Sequence, residues 1–440
     1  MVENKVVKIA FVHQPIGTIS SSDPRGAIEL WTYEVARRLA RSSEVIIYAK
    51  RGRHQKKFEY SQGVRYQRIS TAVDEWFTFI SAAFNKLGRF SLFRKIQTVV
   101  FSRDVERPLF ASSLFYLTYA LQVAKDLRKE KCDIVHLHNF SQFVPIIRAL
   151  NPKINIVLHM HCEWLTQLDR AMIKKRLREV DSIIGCSEYI TEKIRLVFPQ
   201  FAERCQTIYN GVDIDYFVSR NRCVLANKNG VKRLLFVGRV SPEKGVHVLL
   251  EAFQEVVKRY PQAQLEIVGS VSIPRIEFIV ALSDNPEISK LGRFYKKTGY
   301  LSHLQEQLFS LNIVDNVTCT GFIPHRYLIK HYRQADVLVN SSFSEAFGMS
   351  LIEAMACQVP VVATRVGGMT EIVEDGKTGM LVKSGNASDL AEAILRILSE
   401  KDLRKKIRNA ARERVVELFS WDRIVEKLMY QYKKICDFNG

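Results

Sequence analysis

A chain of 440 residues with 47% hydrophobic content is too long for one simple core and too apolar for extensive disorder, so two folded α/β domains are expected. Its formal charge of +19 calls for an anionic partner; no nucleic-acid-binding motif is visible, which leaves an anionic membrane surface or an acidic substrate. Eight dispersed cysteines without a CxxC pair suit reduced thiols, and the polar stretch from Met1 to Lys8 lacks a signal-peptide pattern, so the expected location is cytoplasmic or peripheral on the cytoplasmic face of a membrane.

In chain order, Val6 to Val12 reads as a short buried strand. Gly26 to Ala40 reads as an amphipathic helix carrying Ile28, Leu30, Trp31, Val35, Ala36 and Leu39 on one face. From Trp76 to Ala124, aromatic residues such as Phe77, Phe79 and Phe84 alternate with Lys86, Arg89, Arg94 and Lys95. That pattern fits helices covering a sheet, or a face that meets anionic lipid or an acceptor. Leu109 to Ala124 is uncharged for 16 residues, short of the roughly 20 needed to span a bilayer. Two strands then end in His136-Leu137-His138 and His159-Met160-His161. Alternate strand residues share a face and imidazole suits zinc, but sheet-packed histidines are the commoner outcome, and no metal is expected. The polar stretch between Asn210 and Arg233 reads as the domain boundary.

The second half repeats one theme three times. The strand Arg233 to Val237 runs into Gly238-Arg239-Val240-Ser241-Pro242-Glu243-Lys244-Gly245, then into a helix of about four turns. Ligands bind beyond the carboxyl ends of strands in open α/β sheets, so Arg239 and Lys244 fall where they can neutralise a diphosphate without a metal; solvated surface charges are the alternative. The strand Ala335 to Asn340 leads through Glu345 to a helix opening at Gly348, Met349 and Ser350. Free amides and roughly +0.5 of helix-dipole charge there suit phosphate. Glu345 in the loop and Glu353 about two turns into the helix suit sugar and ribose hydroxyls, unless both are merely solvated. The strand Val359 to Thr364 leads to Gly367-Gly368, a pair that permits close backbone approach to a ligand. Trp421 to Ile435 reads as a final helix.

The run from Phe236 to Gly245, the Glu345/Glu353 segment, the loop at 367–373 and Tyr209-Asn210-Gly211-Val212-Asp213 together resemble retaining glycosyltransferases of the GT-B fold, family 4 type. The resemblance implies two Rossmann-like parallel-sheet domains facing across a cleft. These would be an acceptor-side domain at 1–215, a donor-binding domain at 216–420, and a helix at 421–440 returning to the first domain. It assigns Arg239 and Lys244 to the donor diphosphate, Glu345 and the amides of Gly348, Met349 and Ser350 to the transferred sugar and its phosphates, and Glu353 to ribose. His161 matches a sugar-contacting position, with Cys162 where an aspartate often follows. Gly26 matches the first of two glycines opening a donor-contacting helix, with Ala27 in place of the second. Residues 270–300 are longer than the usual loop and suggest a lid or acceptor contact. The function implied is metal-independent hexosyl transfer from a UDP-, GDP- or ADP-sugar, UDP or GDP favoured, to a glycan or lipid-linked acceptor in cell-surface polysaccharide or glycolipid synthesis. There would be no cofactor, no nucleic-acid partner and a possible anionic membrane partner. The alternatives are a noncatalytic sugar-nucleotide or membrane-binding protein, or an epimerase or phosphorylase on the same fold.

Overall fold

The computed structural model describes residues 6–87, 108–218, 230–295 and 299–438. The chain forms two compact units. Unit 1 comprises residues 1–185, 191–206 and 428–440; unit 2 comprises 186–190 and 207–427.

Unit 1 is built on an eight-stranded sheet ordered β3-β4-β2-β1-β5-β6-β7-β8. Its strands are β1 (Lys8–Val12), β2 (Glu44–Lys50), β3 (Phe58–Ser61), β4 (Val64–Ile69), β5 (Ile134–His138), β6 (Asn155–Met160), β7 (Ser182–Gly185) and β8 (Cys205–Thr207). Pairings from β4 through β7 are parallel; β3 joins β4 antiparallel at the edge. A parallel strand is covered on both faces, so its residues are apolar in runs rather than alternating. Ile9, Ala10, Phe11 and Val12, like all six residues of β6, are buried. The helix Ala27–Leu39 buries Leu30, Trp31, Val35, Ala36 and Leu39, five of the six residues the periodicity assigned to its inner face.

Unit 2 carries a six-stranded parallel sheet ordered β11-β10-β9-β12-β13-β14. Its strands are β9 (Arg233–Val237), β10 (Gln264–Val268), β11 (Val317–Gly321), β12 (Val337–Asn340), β13 (Val361–Thr364) and β14 (Met380–Val382). Strand order reverses direction between β9 and β12, the kind of position where such sheets hold ligands. Both units are therefore Rossmann-like.

Residues 88–107 of the basic-aromatic stretch lie outside the described residues, as do 219–229 of the predicted boundary. What precedes 88–107 is a helix, Ala72–Leu87, with Trp76 and Phe79 exposed. Within the segment expected to be a lid or acceptor contact, 270–300, Val280, Ile288, Leu291, Phe294 and Tyr300 join the buried core of unit 2. Burying these apolar side chains removes them from water and anchors the parts of the segment that carry them. Among the described residues no helix is long and apolar enough to cross a membrane.

Candidate active site

In unit 2, three loops leave the carboxyl ends of β9, β12 and β13, and two close approaches between them need glycine. Gly245 adopts φ +66°, and a Cβ there would lie 2.1 Å from the Ser341 carbonyl oxygen. Gly367 adopts φ +51°, and a Cβ there would lie 1.8 Å from the Glu345 carbonyl oxygen. The Gly368 amide donates to that same oxygen at 3.2 Å. At Gly367-Gly368 the backbone thus approaches the Glu345 loop closely.

This packing brings two predicted site residues together. Lys244 donates to Glu345 Oε2 at 2.6 Å, across 101 positions of sequence, and both side chains are largely buried. Arg239, on the same loop as Lys244, is 45% exposed and so remains open to a ligand, while one of its nitrogens donates to Glu243 at 3.2 Å. Glu243 is buried; its Oε1 also accepts from Ser241, and its Oε2 has no partner. A buried carboxylate held by one hydroxyl is a strong anchor for a guanidinium, because removing either charge strands the other. Glu243 stood inside the motif but received no role from sequence. Its burial, which follows from the tight 3-10 turn Pro242–Lys244, supplies one.

Gly348 caps the helix Met349–Ala356 at φ +119°, so Met349 and Ser350 occupy its first turn, where amides lack intrahelical acceptors. Glu353 lies in that helix and is buried rather than solvated. Tyr332 donates to its Oε2 at 2.6 Å and His325 Nε2 lies 2.9 Å from its Oε1. Burial and the adjacent Glu353 push the Tyr332 phenol well above its ordinary range, so it stays a donor. Each carboxylate oxygen retains a lone pair for a hydroxyl. Neither Tyr332 nor His325 has a local sequence signal pointing to Glu353; β12 and the helix that precedes it bring them there.

In unit 1, Gly26 precedes the helix Ala27–Leu39 in extended backbone, exposed, with open space where a Cβ would point. Ala27 is the first helical residue and needs no positive φ, so the methyl that replaces the second glycine is unstrained. His161 follows β6. Its amide donates to Asn139 Oδ1 at 2.6 Å, and its Nε2 lies 3.0 Å from His138 Nδ1. Behind it sits an imidazole cluster. His136, His138 and His159 are buried, and their ligand nitrogens lie within 4.8 Å of one another. His136 Nε2 is 3.1 Å from His159 Nδ1, and His136 Nδ1 is 2.8 Å from the Tyr432 hydroxyl. Burial drives all of these rings toward the neutral form, His161 to about 3 and His13 to about 4. Burial also pushes the Cys162 thiol up to about 12, so it stays protonated.

Comparison with known proteins accounts for most of the chain. Residues 219–414 match the family described as Glycosyl transferases group 1, and residues 28–216 match Glycosyltransferase Family 4. Spore coat protein SA of Bacillus subtilis is 28% identical over 330 residues, covering 72% of this chain and 82% of that protein. Among solved structures, sucrose-phosphate synthase from Thermosynechococcus elongatus aligns with TM-score 0.71 at 21% identity, covering 98% and 99% of the two chains. Anabaena HepE in complex with UDP-glucose aligns with TM-score 0.65 at 19% identity, covering 97% and 99%.

Proposed function

This chain belongs to the GT-B glycosyltransferases of the family 4 type, and on that premise we propose that it is a retaining, metal-independent transferase moving a hexose from a nucleoside diphosphate sugar to a glycan or lipid-linked acceptor. The observation that carries the reading is the ion pair of Lys244 with Glu345, formed beside an exposed Arg239. Lys244 and Arg239 are the cations for the diphosphate, Arg by a forked contact and Lys as a point charge. Glu345, once Lys244 turns to phosphate, is free to accept from sugar hydroxyls, and Glu353 accepts from ribose. The helix amides at Gly348, Met349 and Ser350 add donors for the leaving group. Stabilising charge that develops on a leaving diphosphate is the largest contribution such a site can make. The donor-binding domain spans 216–420, the acceptor side 1–215 with the helix at 421–440, and Gly26 and His161 are the acceptor side's contacts to the donor. Fold neighbours that hold UDP-glucose favour UDP among the candidate bases.

The test is calorimetry with UDP, GDP and ADP in EDTA, beside the double variant Arg239→Ala/Lys244→Ala. One nucleotide binds the native protein and is lost in the double variant. Each single variant lowers turnover at least tenfold, about 1.4 kcal/mol of barrier. Undiminished turnover in either contradicts its role, and no nucleotide binding at all favours the noncatalytic alternative.

A peripheral membrane position on the cytoplasmic face accompanies this reading. Unit 1 exposes Phe58, Tyr60, Trp76 and Phe79, with the Lys57 ammonium 5.1 Å from the Phe58 ring centre. Co-sedimentation with anionic vesicles is expected to exceed that with neutral ones and to fall with salt; equal binding to both removes the proposal.

A further inference from the structure

The hydrogen bonds behind His161 fix its tautomer. Thr32 Oγ1 donates its hydrogen to the Ile28 carbonyl at 2.8 Å. Toward His138 Nε2, 3.0 Å away, the same oxygen can therefore only accept, so His138 carries its proton on Nε2. A neutral His138 then has a bare lone pair on Nδ1, and the nitrogen facing it, His161 Nε2, must donate. That leaves His161 Nδ1 without a proton, and this atom is buried with no partner. His13 reaches the same state independently. Its Nδ1 donates to the Gln14 carbonyl at 3.1 Å, which leaves Nε2 bare, buried and unpartnered. His13 is close enough to His161 to weaken its basicity, and both rings flank His138, at 6.4 and 5.1 Å between centres.

Two buried acceptor nitrogens cannot satisfy each other. Phosphate and carboxylate offer them no proton, whereas hydroxyl groups do. We propose that Thr32 and His138 are positioning residues that lock His161 as an Nε2–H tautomer, so that His161 Nδ1 and His13 Nε2 each accept a hydroxyl hydrogen from a sugar. The hydroxyl assignment rests on the transferase reading above; the tautomer lock does not. The remaining route for the two lone pairs is a divalent metal, which is an outcome of the test.

The experiment is long-range proton–nitrogen correlation on protein labelled with 15N in its histidine rings, with the His161 signals identified by their loss in His161→Gln. The native protein is expected to show His161 protonated on Nε2 alone. Thr32→Val removes the acceptor for His138, and His161 is expected to become a mixture of tautomers. Thr32→Ser keeps the hydroxyl and is expected to restore the single form, a rescue that a packing role for Thr32 would not produce. An Nδ1–H tautomer in the native protein, or an unchanged single tautomer in Thr32→Val, overturns the lock. UDP-glucose, UDP-galactose and GDP-mannose are then added in turn. The His161 Nδ1 and His13 Nε2 signals are expected to move with at least one and not with UDP or GDP. For that sugar the affinity gained over the bare nucleotide falls roughly three- to tenfold in Thr32→Val. No movement with any of the three overturns the hydroxyl assignment, as does stoichiometric Zn²⁺ binding that moves both signals. Failure of every nucleotide to bind would sink the transferase reading while leaving the tautomer result standing.

Discussion

Acidification from pH 8 to 5 is expected to unfold unit 1 before unit 2, with proton uptake on unfolding that approaches five. His13, His136, His138, His159 and His161 are all held below the ordinary value of 6.5, chiefly by burial, and all but His13 also by neighbouring imidazoles. A depressed histidine is neutral in the folded state and protonates only after unfolding. The unfolded chain therefore binds more protons below 6.5, and stability, full above that pH, is lost as pH falls toward the folded values. At pH 5 each such histidine costs about 2 kcal/mol, and five together approach the roughly 5–15 kcal/mol that holds a typical domain. Urea midpoints at half-unit pH steps give the measurement. His159→Phe, which removes one ring from the cluster, is expected to flatten the slope by about one proton. Unchanged midpoints down to pH 5 would mean that the cluster takes up protons while folded, contrary to its burial.

Gly367→Ala is expected to lower the melting temperature of unit 2 and the transfer rate together. The substitution meets two penalties. A left-handed φ of +51° costs an alanine about 1 kcal/mol, and the new methyl would sit 1.8 Å from the Glu345 carbonyl oxygen, so one of the two loops must move. The sum is expected on the order of 3 kcal/mol, and the displaced Glu345 loop pulls its carboxylate from Lys244. Gly376→Ala is the control, since it shares a positive φ of +73° but has nothing within 4 Å. It should lose only the backbone strain, about 1 kcal/mol, and no activity. Equal effects of the two variants would show that loop contact contributes nothing beyond backbone strain.

Strand and helix placement was largely legible in sequence. The helix expected over Gly26 to Ala40 forms over Ala27–Leu39, and the strand–loop–helix units around Arg239 and Glu345 form as their apolar runs indicated. Local periodicity and turn chemistry suffice there, since each element's own residues decide its type. Partnerships were not legible. Nothing in the sequence pointed from Glu353 to Tyr332 and His325, which hold its carboxylate, or from the paired glycines to the Glu345 carbonyl they pack against. The four histidines of the two His-x-His patterns were readable as sharing a face, because strand residues alternate. That Thr32 and His13 join them depends on a helix and a strand more than 100 residues upstream.

The sequence by itself determined the fold, two parallel α/β sheets with charged loops at the carboxyl ends of their strands, and the family to which the chain belongs. Those features are written in short-range patterns: apolar runs, glycine positions and motif spacing. Only the tertiary structure decided which charge pairs with which, that Lys244 holds Glu345, that buried Glu243 anchors Arg239 and that the Thr32 hydroxyl lies within hydrogen-bond distance of His138. A hydrogen bond or ion pair depends on atoms within about 3 Å, and residues 101 or 106 positions apart reach that distance only after a whole sheet has set its order and register.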